Sequence, residues 1–448
     1  MELFEPERKN LTVRQIRILN SPKQEGNCTI DSISYLKELK AEIINKKQSI
    51  QFTSNTNEQI HRWAPYVQGF SSSFVQSVFD LYANEYKNPK ILDPFSGCGT
   101  VPVQAKLNGY QSFGTELNPL LQFISVTKLN SWSTNPDELI KCYNKIPQNK
   151  IEKAPAFLKS QNHFNSEVLK SLELIKGGIE KFKSNQNIYH LLQLAFSSIL
   201  IDCSNLKRSP CLGYVKNKKV SATVPNFLMH RKVHQIAADL RFIQTHYKNN
   251  IDCTAKIFLG NAMNFEHKNK FDLVITSPPY MNGLDYVMNY KIEMGWLQFV
   301  HNQQELKKVK DDMVVCDNVS KGLIKNYKPE YSNNWIESIK SNIQHNIFRR
   351  GEYRRPDMPF IVHKYFDDMY KVMRNVAQAI NKEGRFILVV GDSLIADVYV
   401  PTDLLIARIG KELGLTIEKI EKARERRSGQ IRSYKLRETI ITLKKNGR

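Results

Sequence analysis

Long apolar runs are missing from this 448-residue chain. No stretch approaches the ~18–20 unbroken apolar residues of a membrane-spanning helix. The acidic start, Met1-Glu2-Leu3-Phe4-Glu5-Pro6, lacks the apolar core of a secretory signal. Paired cysteines are missing too. Seven cysteines stand singly, at 28, 98, 142, 203, 211, 253 and 316, with no CxxC spacing. That argues against a disulfide framework and a structural zinc, and for a reducing compartment. No histidine pair is read at ligand spacing, so no metal is expected. Acidic charge is in deficit, with 44 Asp+Glu against 65 Lys+Arg and a net charge of +21. Such an excess names no fold, but it favours a polyanionic partner, nucleic acid before an anionic membrane. Repeats and low-complexity tracts are absent. A 41% hydrophobic and 24% charged composition excludes a mainly disordered chain. The length suggests about three domains, or two with large insertions.

What is present is an interrupted α/β pattern. Residues 1–60 are polar and mixed, and read as an N-terminal extension. Ser71 or Ser72 can cap a helix running to Tyr86. Lys90-Ile91-Leu92 predicts a short strand, followed by the turn Asp93-Pro94-Phe95-Ser96-Gly97-Cys98-Gly99-Thr100 and a helix to Leu107. A second strand, Ser112 to Thr115, ends at Glu116-Leu117-Asn118-Pro119, and another helix follows to about Leu129. Residues 131–250 change character. Their helical periodicity over Phe164–Phe182, His190–Cys203 and His230–Tyr247 predicts a mostly helical insertion. The α/β pattern resumes with strands at Lys256–Leu259 and Phe271–Ile275. A second insertion spans 301–358. Beyond it come a helix from Pro359 to Asn381, a turn at Lys382-Glu383-Gly384 and a buried strand, Arg385 to Val390. A helix over Thr402–Gly414 and closing strands at Thr416–Ile420 and Thr439–Leu443 complete the pattern. The core is thus read as 61–130, 251–300 and 359–448.

The chemistry gathers where predicted strands end. A Gly-x-Gly after a strand suits a structural turn as well as a nucleotide site. Three features sharpen the nucleotide reading. Asp93 ends the strand where open α/β sheets bind ligands, Phe95 can wall an apolar ligand face, and Glu116 ends the next strand, where a carboxylate can accept ribose hydroxyls. The third glycine of a dinucleotide fingerprint is lacking. Ser277-Pro278-Pro279-Tyr280 closes the Phe271–Ile275 strand, and its two prolines stiffen the turn. Any Pro-Pro-Tyr alone suits an ordinary turn, but both motifs ending strands of one core seldom coincide by chance. Ser209-Pro210-Cys211 holds a Pro-Cys pair of the kind used for covalent attack on a cytosine ring carbon. It does not end a buried strand, and a bystander cysteine is the better reading. Three basic segments fall in predicted loops or insertions, at Lys207–Lys219, Arg349–Arg355 and Lys422–Arg437. They interleave with Tyr214, Tyr353 and Tyr434, as phosphate-contacting loops would. Trp63 and Tyr66 read as packing residues, with lining of the cofactor site as the lesser alternative.

With Asp-Pro-Phe-x-Gly-x-Gly-Thr upstream and Thr-Ser-Pro-Pro-Tyr downstream, the core resembles the DNA amino-methyltransferases, which use S-adenosylmethionine. The Ser-Pro-Pro-Tyr form is most similar to the branch that makes N4-methylcytosine. The resemblance implies a Rossmann-like class I methyltransferase sheet, mostly parallel and doubly wound, with one late antiparallel strand. It implies that Asp93, Phe95, Gly97, Gly99 and Glu116 bind S-adenosyl-L-methionine. Phe70 and Ser71 would be the flanking motif, and Asn261 stands where the family usually has an Asp. Ser277, Pro278, Pro279 and Tyr280 would be the catalytic loop. Ser277 and the Pro278 carbonyl would accept the amine protons, and Tyr280 would stack on a flipped base. The implied partner is double-stranded DNA, with the insertions 131–250 and 301–358 as candidate recognition elements. A restriction endonuclease of the same system would act without stable contact, and no membrane is involved. The implied setting is the cytoplasm of a bacterial or archaeal cell. An adenine-N6 methyltransferase is the nearer alternative, and a non-catalytic protein that binds cofactor and DNA the farther one.

Overall fold

Alternating strands and helices build one eight-stranded sheet in the computed structural model. It describes residues 27–447 apart from 49, 68, 148, 209–210, 267, 284, 317, 321, 325–326, 352, 354 and 428–434. The strands are β1 (Ile44–Asn45), β2 (Lys90–Asp93), β3 (Gln111–Glu116), β4 (Leu206–Arg208), β5 (Leu212–Tyr214), β6 (Ala255–Leu259), β7 (Phe271–Thr276), β8 (Ile380–Gly391), β9 (Ser393–Ile395), β10 (Val398–Val400), β11 (Leu415–Arg427) and β12 (Lys435–Lys445). The large sheet runs β1-β11-β12-β8-β7-β2-β3-β6, and β4-β5 and β9-β10 form two small hairpins. β12 pairs antiparallel with both neighbours, and every other pairing in the large sheet is parallel. This is the Rossmann-like, doubly wound architecture the motifs imply. The chain order reverses between β2 and β7, which opens a crevice at their carboxyl ends.

Both faces of the central strands are covered, which is why they read as continuous apolar runs. Side chains alternate between the faces. Ile91, Leu273, Ile275, Ile387 and Val389 pack with Phe74, Val78 and Phe79 of the Ser72–Tyr82 helix. Leu92, Val274, Phe386, Leu388 and Val390 pack with the Met358–Ala379 and Thr402–Glu412 helices. Helices Pro136–Asn144, Ser166–Ile179, Gln186–Ile199 and Val224–His246 fill the 131–250 insertion. Their apolar faces join Leu120, Leu121 and Ile124 of the Pro119–Asn130 helix in one core. Each fully buried aliphatic side chain contributes about 1.5–3 kcal/mol. No described helix is long and apolar enough to cross a membrane.

Three sequence expectations need correction. Residues 27–60 are not a separate extension: β1 pairs with β11, and Lys46 and Gln48 donate backbone N–H groups to Lys422 and Ala423. The joint is backbone pairing over a two-residue strand, which leaves little trace in composition. The 382–384 turn lies within β8 as an irregularity, since pairing with β7 jumps from Ile380 to Arg385. The basic loop 422–437 is largely paired ribbon, continuous to Arg427 and Lys435. Its charged side chains hide a strand whose inward residues are few, Ala423 and Leu436 among them.

Candidate functional site

The turn after β2 is shaped by its glycines. Gly97 and Gly99 have φ of +51° and +87°, a region that residues with a Cβ rarely adopt. Asp93 is buried, and its Oδ1 accepts from the Phe95 N–H at 3.1 Å and the Thr276 hydroxyl at 2.7 Å. It therefore ties the end of β2 to the end of β7. Burial raises its pKa to about 7, against the lowering effect of those two hydrogen bonds. Glu116, at the end of β3, accepts the Gly97 N–H on Oε2 and the Asn118 N–H on Oε1, each at 2.8 Å. Burial raises this carboxyl to about 7 as well. From below, Ser125 donates to the Gly97 carbonyl at 2.7 Å, and the buried Lys128 ammonium to that of Cys98 at 3.1 Å.

These elements border a cavity lined in part by Phe95, Glu116, Leu117, Asn261, Ala262, Ser277 and Tyr286. The wall is apolar apart from a few polar groups, as small-molecule sites are. Each Glu116 oxygen holds one backbone N–H and keeps capacity for another donor. A carboxylate so placed fits a ribose diol, and the Phe95 and Leu117 side chains fit a flat base. Asn261 faces the cavity with its amide braced: Nδ2 donates to the Asp312 carbonyl at 2.6 Å and Oδ1 accepts the Met263 N–H at 2.9 Å. Asp93 is not among the lining residues and supports the loop from behind.

A second cavity adjoins the first. Tyr66, Ser277 and Tyr286 line both. Phe70, Tyr280, Arg424, Arg426 and Glu438 line the second. Ser71 lines neither; it is buried, and its hydroxyl accepts the Phe74 N–H at the helix N-terminus. The Ser277 hydroxyl donates to the Val389 carbonyl at 3.2 Å, which leaves its oxygen facing the cavities as an acceptor. The Pro279 carbonyl accepts the Tyr365 hydroxyl at 3.0 Å. The Tyr280 hydroxyl donates to Glu438 Oε1 at 2.6 Å. Burial and Glu438 hold that phenol well above its usual pKa, so it stays protonated.

Tyr66 is a cavity wall, the lesser of its two sequence readings, whereas Trp63 is buried and donates to Asp239 at 2.9 Å. Tyr286 and Glu438 carried no local signal, and Arg424 and Arg426 were marked only as part of a basic segment. Cys211 is exposed next to the β4–β5 hairpin and lines neither cavity. Parts of the basic segments are internal. Arg208 pairs with Glu293 and lies over Tyr290, Arg355 pairs with Asp357, and Arg437 bridges Asp392 and Asp403. Ser209, Pro210, Arg354 and Tyr434 lie outside the described residues. His230 and His234 do form a pair one turn apart, with ring centroids 4.2 Å apart. Among the described residues no three metal-ligating side chains gather.

A family model described as D12 class N6 adenine-specific DNA methyltransferase matches residues 72–352. The chain is 24% identical over 435 residues to the type II methyltransferase M.BsoBI of Geobacillus stearothermophilus, covering 86% of this chain and 84% of that protein. It is 23% identical over 402 residues to the type II methyltransferase M.MvaI of Kocuria varians, covering 84% and 86%. Among solved structures, the rRNA methyltransferase aviRa of Streptomyces viridochromogenes aligns over 89% of this chain and 94% of its own, at 8% identity and a TM-score of 0.34.

Proposed function

This chain belongs to the D12 class of DNA methyltransferases, and from that premise we propose that it methylates the exocyclic N4 amine of a cytosine flipped out of duplex DNA. Its cofactor is S-adenosyl-L-methionine, which supplies an electrophilic methyl group when bound. In this reading Glu116 holds the ribose hydroxyls, Phe95 and Leu117 bound the adenine, and Asn261 closes that end of the chamber. Asp93, Gly97 and Gly99 set the loop. Phe70, with Ser71 fixing the helix behind it, borders the second chamber.

The observation that carries the proposal is the position of Ser277 between two adjoining cavities, one bordered by Glu116 and Phe95 and one by Tyr280. A cytosine amine is a poor nucleophile because its lone pair is delocalised into the ring. Acceptors on both of its protons favour a tetrahedral nitrogen. The Ser277 oxygen, its own proton directed at Val389, and the Pro278 carbonyl supply them. Pro279 stiffens the turn. Tyr280 stacks on the base and contributes alignment more than acid–base power. Flipping costs roughly a few kcal/mol of unstacking. No side chain attacks the base, since the exposed Cys211 stands outside both cavities.

The relatives' description as type II methyltransferases supports a further reading, that the chain is the modification half of a restriction–modification pair. One observation favours adenine-N6 instead: the family's own description names that base. Incubation with labelled S-adenosylmethionine and mixed-sequence duplex DNA, then mass spectrometry of the nucleosides, decides. N4-methylcytosine is expected. Ser277→Ala should lower turnover roughly 10²-fold, as loss of one aimed polar partner does. N6-methyladenine as the product overturns the base assignment.

A further inference from the structure

One residue that lines the second cavity has no use in the mechanism above. Arg426 lies on β11, and its Nε–H is buried without a hydrogen-bond partner. Its Nη2 donates to the Asp392 carbonyl. The guanidinium carbon stands 5.5 Å from the Tyr280 ring centroid, and both residues line the cavity with Ser277. Glu438, whose oxygens receive the Tyr280 hydroxyl and Arg424 Nε, is not the partner of that Nε–H. An unmet buried donor is costly unless a ligand meets it. The approach of the two side chains depends on Gly391. A Cβ there would fall 2.9 Å from Tyr280 Cε2 and 3.1 Å from Arg426 Nη2.

We propose that Arg426 reads the Watson–Crick edge of the flipped base, its Nε–H and a neighbouring Nη–H meeting N3 and O2 of cytosine. The inference rests on the cytosine-N4 reading and deepens it. Beside its amine, cytosine presents two adjacent acceptors, and a planar guanidinium presents two parallel donors at matching spacing. Adenine presents an acceptor at N1 and then a C–H, so one donor of the fork would be left unpaired. Base choice would then come from a ribbon far along the chain as well as from the serine of the catalytic loop.

A substitution cycle tests this. After the site is mapped with the wild-type protein, duplexes carry cytosine or 3-deazacytosine at the target; the analogue has a C–H in place of N3. Arg426→Ala should lower kcat/KM on cytosine about tenfold to a hundredfold. The analogue should cost the wild type a similar factor and cost Arg426→Ala little more. Affinity for S-adenosylhomocysteine should be unchanged. If Arg426→Ala fails to bind S-adenosylhomocysteine, Arg426→Lys, which keeps the stem and charge, carries the same cycle. Factors that multiply independently overturn the inference and leave the cytosine reading standing. So does Arg426→Lys losing S-adenosylhomocysteine affinity while its two factors multiply, which would assign the arginine to the cofactor's carboxylate. A wild-type product of N6-methyladenine overturns the reading and the inference together.

Discussion

Glu116 holds two backbone N–H groups and faces the first cavity with a carboxyl whose pKa burial raises to about 7. The proton it carries below that pH competes with ribose hydroxyls for the same oxygens. Binding of S-adenosylhomocysteine should therefore tighten as pH rises from 6 to 8 and level off above. Asp93, raised to about 7 by its own burial, adds to the slope through the loop it holds. Glu116→Gln removes the titrating group but keeps an acceptor. Calorimetric titrations of this variant should show weaker binding and a flatter pH dependence. A slope as steep as that of the wild type would assign the titration elsewhere. Ser277 teaches a related point. A hydroxyl offers two lone pairs as well as its hydrogen, and with that hydrogen directed at the Val389 carbonyl at 3.2 Å the lone pairs are free to accept.

Between elements, Asp239 joins the helical insertion to the stretch before the catalytic core. From the Val224–His246 helix it accepts the Ile60 N–H at 3.1 Å, the Trp63 indole at 2.9 Å and the Arg62 guanidinium. Asp239→Ala leaves these donors buried without their acceptor and should cost about 3 kcal/mol of stability, read as a shifted urea midpoint. The same change loosens the 60–66 segment, so S-adenosylhomocysteine affinity should fall with it through Tyr66. The strands around the glycine loop and the catalytic loop were legible in the sequence because each announces itself locally. Apolar runs lead to Asp93 and Ser277, and turn residues follow these and Glu116. The ribbon was not legible, because Lys422 to Arg427 shows charge and little alternation, and its pairing partner was read as loop. Tyr66 was legible only as a second choice after packing, and the chamber walls Tyr286 and Glu438 were invisible for a different reason. They meet the catalytic loop only through the fold, and an isolated tyrosine or glutamate in sequence carries no mark of a distant partner.

For the molecule as a whole, the 65 Lys+Arg side chains behind the net charge of +21 are not all free to meet DNA. Arg208, Arg355 and Arg437 are consumed by internal pairs, while Lys207, Lys216 and Lys219 are exposed around one hairpin. If these three lysines touch phosphates, changing all of them to alanine should reduce the slope of log affinity against log salt by about 2.7, measured by fluorescence anisotropy on duplex DNA. An unchanged slope would move the DNA path to another face. The sheet carries one more consequence, in the order of its assembly. β12 is the last strand in sequence, yet it lies between β11 and β8 near the middle of the sheet. During synthesis the loop after β2 and the end of β3 leave the ribosome hundreds of residues before Glu438 can reach Tyr280. On the proposed reading the residues that border the cofactor chamber all precede Glu438 in the chain, and the base chamber is complete only once β12 is paired. Such long-range pairing makes for slow folding.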